Sequence, residues 1–130
     1  VRRSAAEFDT EVDSAKSTLS NREVIFINTT AQGADSDAYK TATLDLSQLK
    51  AGITYAFALN VVSTINGEQY SQEVSCKLNE VDMGRNGNYY KLSSTFFGRC
   101  QNSDKLYVSA FKNGGSWTGV TIRGIFIPAD

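Results

Sequence analysis

The chain contains no histidine, and so lacks the side chain whose charge changes most readily near neutral pH. An imidazole general base, a histidine metal ligand and a Ser-His-Asp relay are thereby excluded. Lysine, carboxylate and cysteine chemistry remains open, but these residues fall into no recognisable catalytic spacing. Proline occurs once and glycine ten times in 130 residues, too seldom for a collagen-like or low-complexity segment. Apolar runs are short: Ala56-Phe57-Ala58-Leu59 is interrupted by Asn60, far from the roughly 20 residues of a membrane-spanning helix. Charge of neither sign dominates, with 13 basic residues against 14 acidic ones. A formal charge of -1 gives no general attraction to nucleic acid or to an anionic membrane. Neither is expected as a partner.

No basic start followed by an apolar stretch marks a signal peptide, and the opening residue is Val1, which fits a processed or truncated product. Cysteine is scarce too. Cys76 and Cys100 are the only two, each in or beside a β-like segment. A disulfide between them is the expectation, closing a loop worth about 3 kcal/mol in chain entropy. Two buried free thiols are the alternative.

What is present points to one folded domain. Hydrophobic residues make up 41% of the chain, an ordinary globular proportion. Ser4-Ala5-Ala6-Glu7 forms a capping-box pattern. Phe8, Val12, Ala15 and Leu19 follow at four-, three- and four-residue intervals, one face of a helix. That face is expected to pack within the domain, which makes the helix of residues 1–21 integral to it; entry into a short helical bundle is the other outcome.

From Arg22 the period becomes two. Val24, Phe26 and Asn28 alternate with Ile25, Ile27 and Thr29, which predicts a strand covered on both faces. The polar stretch from Thr30 to Asp37 reads as a loop, followed by the alternating Ala42, Leu44 and Leu46. Tyr55, Phe57, Leu59 and Val61 share one face of the strongest strand and mark the centre of the core. Asn66-Gly67 is a turn signal before the strand of Val74, Cys76 and Leu78. Met83 to Asn88 reads as a loop, and Tyr89 to Phe97 as a strand. Leu106, Val108 and Ala110 alternate with Tyr107, Ser109 and Phe111. After Asn113-Gly114-Gly115 come Val120, Ile122, Gly124 and Phe126, and pairing between these last two strands is expected. The pattern predicts a mainly β fold, an antiparallel sandwich or jelly roll over residues 22–130 with a short N-terminal α-helix.

Val24-Ile25-Phe26, Gly52-Ile53-Thr54-Tyr55-Ala56-Phe57, Asp104-Lys105-Leu106-Tyr107-Val108 and Thr121-Ile122-Arg123-Gly124-Ile125-Phe126-Ile127 occur in an order that resembles a divergent C1q/TNF-like globular domain. Gly52, Tyr55 and Phe57 match that family's approach into a core strand, and Gly124 its closing strand. The resemblance implies a jelly roll, a homotrimer and exposed loops that bind diverse partners. The chain departs from it in the helix around Phe8 and in the missing proline before Gly52. A helix followed by a sheet and a disulfide is also similar to the soluble part of a type IV pilin or pseudopilin, which implies a filament subunit.

Candidate sites are few. Asp35, Asp37 and Asp45, and separately Glu80 and Asp82, supply oxygen ligands but lack calcium-loop spacing, so they read as solvated loops. Gly84, Gly87, Gly114 and Gly115 form no phosphate loop. Asn28-Thr29-Thr30 fits the glycosylation acceptor pattern, though so short a pattern at a strand end is a common chance match. The expected binding surface combines Arg85, Asn86, Tyr89, Tyr90, Asn113 and Trp117, since Tyr and Trp offer an apolar ring with a hydrogen-bonding edge to carbohydrate or protein. No catalytic residue, metal or cofactor is expected. The expected function is a non-enzymatic recognition or adhesion module acting through surface loops, located outside the cell, at the cell surface or in the periplasm. A pilin-like assembly subunit is the alternative, and a small secreted enzyme the third.

Overall fold

The computed structural model describes residues 4–129, with the side chains of residues 17 and 19–21 outside the description. Val1 and the side chain of Leu19, which figured in the sequence reading, therefore lie outside the described residues. The helix begins as its cap dictates. Ser4 Oγ accepts the Glu7 amide at 3.2 Å and Ser4 O accepts that of Phe8 at 3.1 Å, which satisfies donors that a first turn leaves unpaired. The helix α1 runs Ala5–Asn21. Its described side chains are exposed apart from the half-buried Val12, and Phe8 keeps 58% of its surface in solvent.

Eight strands follow: β1 (Ile25–Thr30), β2 (Tyr39–Thr43), β3 (Tyr55–Asn66), β4 (Gln72–Leu78), β5 (Val81–Asn88), β6 (Lys91–Cys100), β7 (Leu106–Lys112) and β8 (Ser116–Pro128). They form two four-stranded antiparallel sheets, β1-β8-β3-β6 and β2-β7-β4-β5. The chain passes repeatedly from one sheet to the other, which is the wiring of a jelly roll.

Period-two alternation drives the assembly. Tyr55, Phe57, Leu59 and Val61 of β3 turn inward with Ile122 and Phe126 of β8, and meet Val74, Cys76, Leu106, Val108 and Ala110 of the facing sheet. The Phe57 and Phe126 rings lie 5.6 Å apart between centroids, a favourable aromatic spacing. Gly124 leaves room beside the Phe126 ring and Leu59, because a Cβ there would come within 2.7 Å of that ring. Polar groups that enter the core are matched. Gln72 Nε2 donates to Ser63 O at 2.9 Å and to Tyr89 O at 3.0 Å, while Ser63 Oγ donates back to Gln72 Oε1.

Four sequence expectations change. Cys76 and Cys100 are buried but unpaired: Cys76 enters the core from β4 and Cys100 from the end of β6, in opposite sheets. Cys76 instead places Sγ 4.0 Å from Met83 Sδ. Residues 83–88 are strand, not loop. As the outermost strand of its sheet, β5 pairs with β4 alone, so it needs no continuous apolar face, and a bulge opposite Cys76-Lys77 leaves Met83 without a register partner. The last two strands do not pair with each other; β7 joins β2 and β4, whereas β8 joins β1 and β3. A turn sequence reverses the chain without choosing its sheet, and here β8 crosses to pair with β3, with Trp117 buried at its start. Finally, β1 is covered on one face only, since Ile27 is buried but Phe26 is 64% exposed.

Candidate binding surface

The residues expected to form a loop surface separate in the fold. Trp117 is 2% exposed and donates its indole N–H to Asp37 O at 2.7 Å; the Lys112 ammonium stands 5.8 Å from its ring centroid. Its ring offers nothing to an outside partner. Asn86 donates to Ser94 Oγ and ties β5 to β6 across the sheets. Asn113 accepts the Ser71 amide at 2.9 Å and braces two turns. Tyr89 and Tyr90 occupy the β5–β6 turn, 58% and 43% exposed, with their carbonyls fixed by Gln72 Nε2 and by the Ile65 amide. Arg85 projects outward from β5 and pairs with Glu73 at 3.1 Å and Asp82 at 3.4 Å.

Arg85 belongs to a larger surface that the sequence reading did not assemble. On the outer face of β2-β7-β4-β5, strand register aligns Tyr39, Phe111 and Glu73 in one row. Thr41, Ser109, Ser75 and Arg85 form the next, and Thr43, Tyr107 and Lys77 a third. Their side chains border a shallow depression of about 560 Å³. The Tyr39 and Phe111 rings meet at 4.9 Å with a 46° tilt, giving a braced aromatic edge. The middle row supplies three hydroxyls and a guanidinium that the two carboxylates hold in place. A second hollow, bordered by Tyr89, Asn88 and Glu73, shares Phe111 with the first. The signal for this face was present in the alternation of Tyr107, Ser109 and Phe111; what was missing was the register that lays them beside Tyr39 and Arg85.

The opposite outer face differs in chemistry. On β1-β8-β3-β6, register places Phe26, Ile125, Ala58 and Phe97 in one row across all four strands. Phe26, Phe97 and the neighbouring Ile127 are 64%, 73% and 47% exposed. The adjoining row carries Asn28, Arg123, Asn60 and Thr95, and a hollow of about 630 Å³ lies between the two rows. Asn28, the acceptor-pattern asparagine, is exposed here in mid-strand.

The acidic loop residues perform local work. Asp35 pairs with Lys40 at 2.9 Å, Asp37 accepts the Ala34 amide at 3.0 Å, and Asp45 accepts that of Ser47 at 3.0 Å. Bonds from the Ser47 side chain and backbone hold the Asp45 carboxyl below its ordinary pKa. Asn79 and Glu80 adopt left-handed backbone in the β4–β5 turn. Among the described residues no three His, Cys, Asp or Glu side chains converge as a metal site. No helix among them is long and apolar enough to cross a membrane.

No family model matches this chain, and no curated protein does. Solved structures do. Dimeric latent PorU from Porphyromonas gingivalis aligns at 7% identity and TM-score 0.49, over 83% of this chain and 13% of that one; this chain thus spans only a small part of PorU. Murine APRIL aligns at 10% identity and TM-score 0.49, over 79% and 98% of the two chains. The C-terminal CBM6 of LamC, a marine laminarinase from Zobellia galactanivorans, aligns at 8% identity and TM-score 0.44, over 78% and 98%. At such identities this chain is a divergent β-sandwich domain, and its function has to be read from its own two faces.

Proposed function

We propose that this protein is a non-enzymatic recognition or adhesion module, working outside the cell or at its surface, that binds carbohydrate across the outer face of β2-β7-β4-β5. The observation that carries the reading is the three-row surface itself. Tyr39, Tyr107 and Phe111 supply apolar rings, and Thr41, Ser75, Ser109 and the braced Arg85 supply hydrogen-bonding groups within the same depression. A sugar has the complementary makeup, with apolar C–H faces and a rim of hydroxyls, and tyrosine serves both. The β-strands fix these groups before any ligand arrives, which lowers the ordering cost of binding. Arg85 and Tyr89 extend the surface toward the β5–β6 turn, where Tyr90 adds a further ring; a protein partner with a polar, aromatic-accepting surface fits the same groups.

The test is a screen of soluble glycans by calorimetry or on an array, followed by Tyr39→Ala and Tyr107→Ala. Both tyrosines lie on the outer face, so each change should weaken binding about tenfold or more, the 1.4 kcal/mol scale of one good contact, while the melting temperature stays put. If affinity survives both changes and falls instead with Tyr89→Ala or Tyr90→Ala, the site lies on the loop surface instead.

A second reading, an assembly subunit of a homotrimer or a pilin-like filament, is favoured by the apolar row Phe26, Ile125, Ala58 and Phe97. A contiguous exposed apolar surface with a polar border is characteristic of an interface between chains. The two readings are compatible, because they use opposite faces of the sandwich.

A further inference from the structure

We infer that α1 joins copies of this chain in a parallel, in-register helical bundle, with Phe8 and Val12 on its seam and Glu11 of one copy facing Lys16 of the next. Ala5, Phe8, Val12, Ala15 and Leu19 recur at alternating three- and four-residue steps, the a and d spacing of a coiled coil. Among its described side chains the stripe is largely open to solvent: Phe8 is 58% exposed, Ala5 and Ala15 are exposed, and Val12 is half-buried. At about 100° per residue, Glu11 and Lys16 lie on opposite flanks of the stripe. They take the g and following e positions, which meet between parallel partners and set orientation.

Charge alone leaves two orientations open, because an antiparallel partner would bring Asp9 to Lys16. The sandwich decides between them. Only Arg22-Glu23-Val24 separates α1 from β1, and β1 belongs to the sheet with the apolar outer row. The end of that face nearest the helix carries Val24, Phe26, Ile125 and Ile127, all at least partly exposed. A parallel bundle brings these ends together and extends the helical seam into the sheet face as one interface. An antiparallel bundle sends the heads to opposite ends, and every such face stays in water. The extension matters because α1 has 17 residues, about 25 Å of helix, too little to associate well alone.

This inference deepens the assembly reading, and four variants of the full chain separate the two. Sedimentation equilibrium should show the unmodified chain associating with rising concentration. Lys16→Glu places a second carboxylate opposite Glu11 and should weaken association several-fold; adding Glu11→Lys should restore it. That rescue is specific to the parallel pairing, since an antiparallel partner would still face Asp9. Ala5→Cys should cross-link between equivalent residues on mild oxidation, because only a parallel bundle brings the two positions together. An unmodified chain that stays monomeric, a double variant that fails to recover, or Ala5→Cys chains that do not cross-link would each overturn the inference. Phe97→Asp reads the sheet face separately and should also weaken association; full association there would overturn the inference, because the sheet extension is what fixes the parallel orientation and supports so short a helix. Loss of association in Phe97→Asp with no effect of Lys16→Glu leaves assembly standing and the helical pairing refuted.

Discussion

Trp117 shows how one residue type can serve two opposite purposes. As a lone tryptophan after a glycine turn, it reads as a ligand platform; in the fold it is an internal anchor whose N–H is taken by Asp37 O at 2.7 Å. Trp117→Ala should therefore cost about 3–5 kcal/mol of stability, read as a lowered urea midpoint, and should leave ligand affinity unchanged in the fraction still folded. Reduced affinity at full stability would return the ring to the binding surface. The cysteines make a second residue-scale case. Burial, with a smaller contribution from Asp82, pushes the Cys76 thiol up to about 12 from its ordinary 9.0. Burial and then Asp104 raise Cys100 to about 11. An acid with a raised folded-state pKa binds its proton more tightly when folded, so the stability this brings is whole below pH 9.0 and is lost as pH climbs toward the folded values. Chemical denaturation should show stability falling between pH 9 and 11. Below that range, iodoacetamide should leave both thiols unlabelled until denaturant is added, since the thiolate is the reactive form.

At the scale of elements, legibility tracked how much of the chemistry is local. The N-cap at Ser4 and the inward face of β3 depend on residues a few positions apart, and both are plain in the sequence. The strand β5 is not, because Gly84, Arg85, Asn86 and Gly87 have neither alternation nor β propensity; an edge strand borrows its order from the neighbour it pairs with. The helix was visible as a helix, but its expected packing partner within the domain was not something spacing could supply, and its described side chains lie almost wholly in water. The candidate binding face shows the same limit. Tyr107, Ser109 and Phe111 are legible as one side of a strand, yet their meeting with Tyr39 from 68 positions or more earlier is set by a crossover between sheets, about which local pattern is silent.

For the whole molecule, keeping the two chemically distinct outer faces in place requires that the sheets hold a fixed relation to each other, and the apolar core alone does not supply it. Hydrophobic contact is non-directional, so two apolar sheet faces can slide by a residue pair with little loss of buried area. Gln72 removes that freedom. Its amide reaches from β4 to Ser63 O on β3 at 2.9 Å and to Tyr89 O in the β5–β6 turn at 3.0 Å, and its oxygen accepts from Ser63 Oγ. It thereby connects the sheet that carries the apolar row to the sheet that carries the tyrosines, at a site only 3% exposed. Gln72→Leu keeps much of the volume but takes the buried partners from the Ser63 hydroxyl and carbonyl and loses the bond to the part-buried Tyr89 carbonyl, and each unsatisfied buried group costs about 1–3 kcal/mol. Stability should fall by about 2–4 kcal/mol on that scale. Hydrogen exchange should quicken at the Ile65 and Tyr89 amides before it quickens in β8. Adding Ser63→Ala removes one orphaned partner and should recover part of the loss, so the two changes should not add. Full additivity would mean that the link is incidental and that the core sets the register of the sandwich without it.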